Sequence, residues 1–112
     1  MTRDEQFAYI EAARTSILQR ARERGIPLQR MEFVVPFVDT DFGLSAWFFY
    51  ETDEQLRRAG DTGWPNQLET HFTEALRVLG YAPDWLSNVE FFYDLHENVF
   101  INYKGSYFYR VR

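Results

Sequence analysis

The last 24 residues of the chain, 89–112, are the part of the sequence that most constrains the fold. Eight of these 24 residues are aromatic, or one in three, against 19% aromatic residues in the whole chain. Polar turn residues separate the aromatic clusters in the sequence VEFFYDLHENVFINYKGSYFYRVR. Aromatic side chains bury large areas and favour strands. We therefore expect the chain to anchor its last strands in the core rather than to end in a loose tail.

The length of 112 residues suits a single domain spanning residues 1–112. A chain of this size buries roughly 65% of its unfolded surface, which is enough for a stable core. The absence of cysteine excludes disulfides and thiolate metal sites. No segment approaches the ~18 apolar residues of a membrane span, and the N-terminal sequence MTRDEQFAYIEAARTS is too charged for a signal peptide. These features predict a cytoplasmic protein that does not associate with membranes.

The net charge of −5 is unevenly distributed along the chain. Residues 1–30 carry a net charge of +2, whereas residues 31–112 carry −7. Seven acids lie between Glu32 and Asp61, where the basic residues are Arg57 and Arg58 alone. Such a surface repels nucleic acid and anionic lipid and attracts a basic protein, although it can also serve solubility alone.

The first element is predicted to be a helix. Thr2 and Glu5 have the spacing of a capping box, and Gly25 is placed to end the helix in a left-handed conformation. Apolar residues recur between them at steps of three and four and form one stripe. The residues of this stripe are Phe7, Ile10, Ala13, Ile17 and Ala21.

A β-hairpin is predicted next, from residues 32–38 (EFVVPFV) and 44–51 (LSAWFFYE), joined by the five-residue turn DTDFG. Pro36 cannot donate a hydrogen bond to a neighbouring strand, so the first strand is expected at a sheet edge or with a bulge. The second strand carries bulky residues on both alternating faces. It is therefore expected either to be a central strand covered on both sides or to hold one apolar face for a partner.

Two helices are predicted after the hairpin. Thr52 and Gln55 fit a capping box that opens a short helix, which Gly60 is expected to end. Pro65 suits the first position of the next helix, which runs to about Leu79. Its predicted buried stripe consists of Leu68, Phe72, Ala75, Leu76 and Leu79.

The remaining sequence predicts a third strand from Val89 to Tyr93, after a turn beginning at Pro83, and a final strand from Tyr107 to Val111. Residues 95–104 fit either a short helix or an irregular strand, and we favour the helix. The whole pattern predicts an α+β fold. Its single domain would contain an antiparallel or mixed sheet of about four strands with helices packed on one face.

The two histidines are the first candidates for catalysis or metal binding. His71 lies beside the apolar stripe of the third helix and is expected to be solvated. His96 stands with Asp94 and Glu97, but the sequence HEN is not the HExxH that places two imidazoles on one helix face for zinc. We expect Asp94 and Glu97 to cap the short helix and His96 to point outward, with no metal or other cofactor.

Other chemistry has little support in the sequence. Ser16 and Ser45 lie inside regular elements, Ser106 follows a glycine in a predicted turn, and no serine stands in a GxSxG context. Phosphate-binding patterns such as GxxxxGK[ST] and GxGxxG do not occur. Aromatic residues near Lys104 and Arg110 could stack on nucleic-acid bases, but the wider acidic charge opposes this.

Two segments, FVVPFVDTDFGLSAWFFYETDEQL and DLHENVFINYKGSYFYRVR, resemble parts of small bacterial proteins. In those proteins an acidic D-x-x-E-N-V segment leads into a Y-x-G-S-Y-F-Y-R-x-R ending. They are similar to the immunity proteins of polymorphic-toxin and contact-dependent inhibition systems, which bind and block a toxin and catalyse nothing. The resemblance spans most of residues 31–112. It implies a non-catalytic protein whose partner is a cognate toxin domain, and many such toxins are basic nucleases.

We therefore expect a binding protein that is not an enzyme and that occludes the active site of a toxin. One acidic face is predicted to supply most of the contacts, with a second patch near residue 95. The predicted contact residues are Asp39, Asp41, Asp53, Glu54, Asp61, Asp94 and Glu97. Two alternatives remain. One is a small metal-dependent hydrolase that uses Asp94, His96 and Glu97, and the other is a homodimer formed through the aromatic face of the hairpin.

Overall fold

The computed structural model describes residues 1–111, except for the burial of Gly60 and the side chain of Tyr109. Arg112, the last residue of the C-terminal motif, lies outside the described residues. The described chain forms an α+β fold, as predicted, with six helices and three strands. In chain order these are α1 (Arg3–Glu23), β1 (Leu28–Val34), β2 (Ser45–Tyr50), α2 (Asp53–Thr62), α3 (Trp64–Leu79), α4 (Pro83–Leu86), β3 (Glu90–Leu95), α5 (His96–Asn102) and α6 (Tyr107–Arg110).

Helix α1 begins and ends as predicted. The Thr2 hydroxyl accepts from the Glu5 amide at 3.2 Å, and the Glu5 carboxylate accepts from the Thr2 amide at 3.0 Å, which completes the capping box. Gly25 has a φ of 68°, as the predicted left-handed ending requires. The predicted stripe is buried except at Phe7, which is 39% exposed, and Gln6 is buried instead.

The sheet is mixed and has the order β1-β2-β3, so the expectation of about four strands was one too many for the described residues. Strand β1 runs antiparallel to β2, which confirms the predicted pairing, and β2 runs parallel to β3. The strand limits differ from the prediction. Strand β1 begins at Leu28 and ends at Val34, two residues before Pro36, which has no amide hydrogen to donate to a neighbouring strand. The connection is therefore residues 35–44 rather than DTDFG alone.

Strand β2 is the central strand and is covered on both sides. Ala46, Phe48 and Tyr50 face the main core, which α1, α3 and part of α2 complete. Trp47 and Phe49 point to the opposite face, where Phe49 is fully buried against Val99 and Tyr107. The sequence had left two interpretations of this strand open, and the structure selects the covered central strand.

The C-terminal segment covers the second face of the sheet as helices. The predicted final strand from Tyr107 to Val111 was wrong, because residues 107–110 form α6. The Tyr107 ring packs edge-on against Phe49, with 4.7 Å between ring centroids. Arg110 stacks on Trp47 at 4.6 Å from the ring centroid. Helices therefore pack on both faces of the sheet, not on one as expected, since the aromatic face of β2 also needs cover.

The two middle helices follow the predicted order with adjusted limits. The Thr52–Gln55 capping box opens α2 as predicted. The helix continues past Gly60 to Thr62, and the left-handed residue that ends it is Gly63, with a φ of 77°. In α3 the predicted stripe is buried at Leu68, Phe72 and Leu76, whereas Ala75 is half-buried and Leu79 is 40% exposed.

Two shorter segments complete the comparison. Pro83 opens the short helix α4 rather than a simple turn. The segment that fitted either a helix or a strand is helical, as favoured, over His96–Asn102.

Candidate partner-binding surface

The carboxyl ends of β2 and β3 bring two acidic segments together. These strands are parallel, and Tyr50 pairs with Leu95 at the end of the ladder. Adjacent strands lie about 4.8 Å apart, so the chain leaves the sheet at two neighbouring points. The exposed acids that follow these points are Glu51, Asp53, Glu54 and Glu97. We call this set the acidic end.

Two carboxylates of the acidic end are partly neutralised by their own helix. Asp53 pairs with Arg57 at 2.5 Å, and Glu54 lies 4.0 Å from Arg58. Both acids also stand in the first turn of α2, where the helix dipole favours negative charge. For Glu51 and Glu97 the structure shows no ion pair within the described part of residues 1–111. These two carboxylates therefore carry most of the local field.

An exposed apolar pair lies beside Glu97 on α5. Phe100 is 69% exposed and Ile101 is 73% exposed. Residues three and four positions apart share one face of a helix, so both side chains neighbour Glu97. Large apolar side chains displayed next to charge are typical of a surface that meets another protein.

Two predicted contact residues lie at the other end of the sheet. Asp39 and Asp41 belong to the connection between β1 and β2, next to the start of β2. The six residues of β2 place roughly 17 Å between this point and the acidic end. Asp41 is also half-buried and accepts from the Gly43 amide at 2.9 Å, which shapes the loop. The five acids expected on one face therefore do not form one patch.

Asp61 and Asp94 occupy different settings. Asp61 is exposed in the last turn of α2, away from the start of that helix. The side chain of Asp94 is only 13% exposed and pairs with Arg110, and it also accepts from Asn98 at 2.8 Å. The expected capping role of Asp94 was wrong, because the N-cap of α5 is Leu95 and makes no side-chain cap. Asp94 instead ties α6 to the sheet.

His96 does not point outward as expected. It is half-buried and hydrogen-bonds through Nδ1 to the Tyr107 hydroxyl. The two rings are stacked with 5.8 Å between their centroids. Among the described residues no group of three histidine, cysteine or acidic side chains could hold a metal ion. Asp94 pairs with Arg110, and His96 hydrogen-bonds to Tyr107. The two residues that the hydrolase alternative would use are therefore engaged in contacts within the fold.

A contact between Ser16 and His71 was not predicted from the sequence. The Ser16 hydroxyl lies 3.0 Å from Nε2 of His71 and joins α1 to α3. Burial lowers the pKa of His71, and the nearby Arg20 and Arg24 lower it further. The sequence did contain a signal for this contact. Ser16 directly precedes Ile17, and His71 directly precedes Phe72, and both of these following residues are buried. His71 is therefore half-buried and partnered rather than solvated.

The Ser16–His71 pair has the first contact of a nucleophile and its base. A catalytic pair also needs a group that orients the imidazole and donors for an oxyanion. Within the described residues no carboxylate is hydrogen-bonded to His71, and Ser16 lies inside the helix α1. We therefore interpret the contact as a link between two packed helices.

Comparison with protein-family models, curated proteins and solved structures finds no match for this chain. No helix in the described part of the chain combines the length and the apolar character needed to cross a membrane.

Proposed function

We propose that this protein is a non-catalytic binding protein of the immunity type. It would neutralise a cognate bacterial toxin domain by covering the active site of the toxin. The observation that carries the proposal is the acidic end, where Glu51 and Glu97 present carboxylates without ion-pair partners in the described chain. The C-terminal resemblance to immunity proteins supports the same function.

The acidic end suits a basic partner such as a nuclease domain. A toxin that cleaves nucleic acid must hold phosphates, so its active site is positively charged. Carboxylates at the rim of an interface accelerate the encounter with such a site and disfavour wrong partners. Phe100 and Ile101 would then supply apolar contact area that excludes water from the interface.

Charge reversal at the acidic end tests the proposal. The double variant Glu51→Lys with Glu97→Lys should slow association with the product of the adjacent gene, the candidate toxin, by at least about tenfold. It should also abolish most of the salt dependence that the parent shows, since the Debye length is only about 8 Å at physiological ionic strength. The measurement is the association rate constant at two salt concentrations.

A matched control reverses two acids at the opposite end of the sheet. Asp39→Lys with Asp84→Lys changes the net charge by the same amount, and both residues are exposed. Association of this variant should stay within about twofold of the parent. A loss in the control but not in the first variant would place the interface near Asp39. No binding by the parent at either salt concentration would refute the immunity function.

The apolar pair is tested by the dissociation rate. Phe100→Ala should speed dissociation of the complex by roughly tenfold or more, because a buried aromatic contact is commonly worth over ~1 kcal/mol. Val78→Ala is the control, since Val78 is 71% exposed on α3 and lies outside the acidic end. Equal dissociation rates in both variants would remove α5 from the interface.

A further inference from the structure

One edge of β1 has no strand paired with it in the described part of the chain. Within the described residues, β1 pairs with β2 and lies at the end of the sheet order. A groove of about 920 Å³ runs along its outer part, between the start of α1 and the C-terminal segment. Phe7 lies on the first wall and Phe108 on the second. An unpaired strand edge is a template for the addition of another strand.

The sequence of β1 is complementary to itself in charge. The strand reads LQRMEFV over Leu28–Val34. In an antiparallel pair of two copies centred on Met31, Arg30 of each copy lies opposite Glu32 of the other. Arg30 and Glu32 are two positions apart, so they point to the same face of the sheet. Opposite charges directly across two strands stabilise the pair, and this register provides that contact twice.

We propose that the open edge of β1 binds β1 of a second copy of this chain, antiparallel and centred on Met31. The two sheets then form one continuous sheet across a two-fold axis. This interface is isologous, because each copy contributes the same strand. It is independent of the proposed function, since it does not use the residues of the acidic end.

The walls of the groove provide apolar surface for this contact. Phe37 is 96% exposed, Phe108 is 57% exposed and Phe7 is 39% exposed, and all three line the groove. The second copy has the same three exposed side chains beside its own β1. Burying them would add hydrophobic stabilisation to the main-chain hydrogen bonds between the strands.

In a single copy of the chain, the side chain of Arg14 lies over the same edge of β1. Its guanidinium donates to the Met31 carbonyl at 3.3 Å and lies 3.8 Å from the Glu32 carboxylate. A charged side chain over a strand edge opposes pairing with another chain. Association must displace this bond and replace it with hydrogen bonds between strands. Arg14→Ala should therefore strengthen self-association.

Single charge reversals test the register. Arg30→Glu places two acids against two acids across the interface, and Glu32→Arg places two cations against two cations. Each variant should weaken self-association by at least about tenfold, because two cross-strand pairs change sign. The measurement is sedimentation equilibrium of the full chain from low micromolar to near-millimolar concentration.

Mixing the two variants separates an intermolecular effect from an intramolecular one. Arg30 and Glu32 also pair within one copy, so each single variant loses that contact as well. In a mixed dimer the two acids of one copy face the two cations of the other, so both cross-strand contacts are again attractive. The mixture should therefore associate about as strongly as the parent, which fluorescence-detected sedimentation of one labelled variant can measure. The loss of a contact within each chain is not repaired by mixing.

The control is Arg57→Glu, which breaks a helical ion pair with Asp53 away from the edge. Its self-association should match that of the parent. A parent that stays monomeric over the whole concentration range would overturn the proposal. A dimer that neither single variant weakens would overturn the register and with it the proposal, as would a mixture that stays monomeric.

Discussion

The hydroxyl of Tyr50 is the basis of a sharp stability prediction. Tyr50 is fully buried, and its hydroxyl is the buried side-chain polar atom without a hydrogen-bond partner among the described residues. A buried polar group without a partner costs about 1–3 kcal/mol. Tyr50→Phe removes the hydroxyl and keeps the ring. We therefore expect the free energy of unfolding to rise by about 1–2 kcal/mol.

Tyr81 provides the matched control. It is 2% exposed, and its hydroxyl donates to the Phe42 carbonyl at 2.7 Å and accepts from the Gln6 amide at 2.8 Å. Tyr81→Phe leaves both groups without this partner. The same chemical change should therefore lower the free energy of unfolding by about 1–3 kcal/mol.

Alkaline pH should widen the difference in the free energy of unfolding between the parent and Tyr50→Phe. Burial raises the pKa of Tyr50 to about 12, against 10.0 for an ordinary tyrosine. The folded state therefore holds this proton while the unfolded state releases it. The contribution is fully present below pH 10 and is lost as the pH rises toward 12, at a cost of about 2–3 kcal/mol. The variant Tyr50→Phe has no hydroxyl to titrate at this position, so it does not lose this stability.

Urea unfolding followed by tryptophan fluorescence measures all three effects, at neutral pH and at intervals above about pH 9. The slope with urea should be unchanged, so that the midpoint alone reports stability. Tyr50→Phe must gain stability and Tyr81→Phe must lose it. If both variants lose about the same free energy of unfolding, the Tyr50 hydroxyl has a hydrogen-bond partner in solution and the prediction is wrong.

Three further predictions concern packing and pH. Ile17→Asp and Phe72→Asp should each unfold the domain, because both side chains are fully buried on the faces that join α1 and α3; a melting temperature like that of the parent, measured by circular dichroism, would contradict the burial. Phe49→Ala should cost about 3–5 kcal/mol in urea unfolding, because it removes the ring that packs on α6, and a cost below about 1 kcal/mol would mean that the C-terminal helices leave this face open. The lowered pKa of His71 favours the neutral imidazole in the folded state, so this group contributes stability above pH 6.5 that is lost as the pH falls through the folded pKa. His71→Gln should flatten that part of the stability profile between about pH 7 and 5, and an unchanged profile would show that His71 titrates alike in both states.

The candidate site was only partly predictable from the sequence. The place of Asp53, Glu54 and Glu97 near the starts of two helices followed from the predicted helix boundaries. Their proximity depends on the parallel pairing of β2 with β3, which joins residues more than 40 positions apart. The contact of Asp94 with Arg110 likewise required the chain to fold back over the sheet. Distances of this kind are fixed by topology, which no local pattern contains.

The sequence by itself determined most helix limits that depend on neighbouring residues, although it placed the end of α2 at Gly60 rather than at Gly63. The capping boxes at Thr2 and Thr52 and the left-handed Gly25 act within a few positions, so their residue types were sufficient. The sequence also placed β2 in the sheet, because its bulky aromatic residues on both alternating faces suit a central strand that is covered on both sides.

Only the tertiary structure decided the conformation of the C-terminal segment. Its aromatic residues have strand propensity, yet Tyr107 begins helix α6, which covers the second face of the sheet, and Val111 packs there just after that helix. Val99, Tyr103, Tyr107 and Val111 recur every four residues, which also fits a helix. Local preference left both conformations open. The helical one prevailed because it buries Phe49 and Tyr107 against each other, and hydrophobic burial outweighs the small difference in intrinsic propensity.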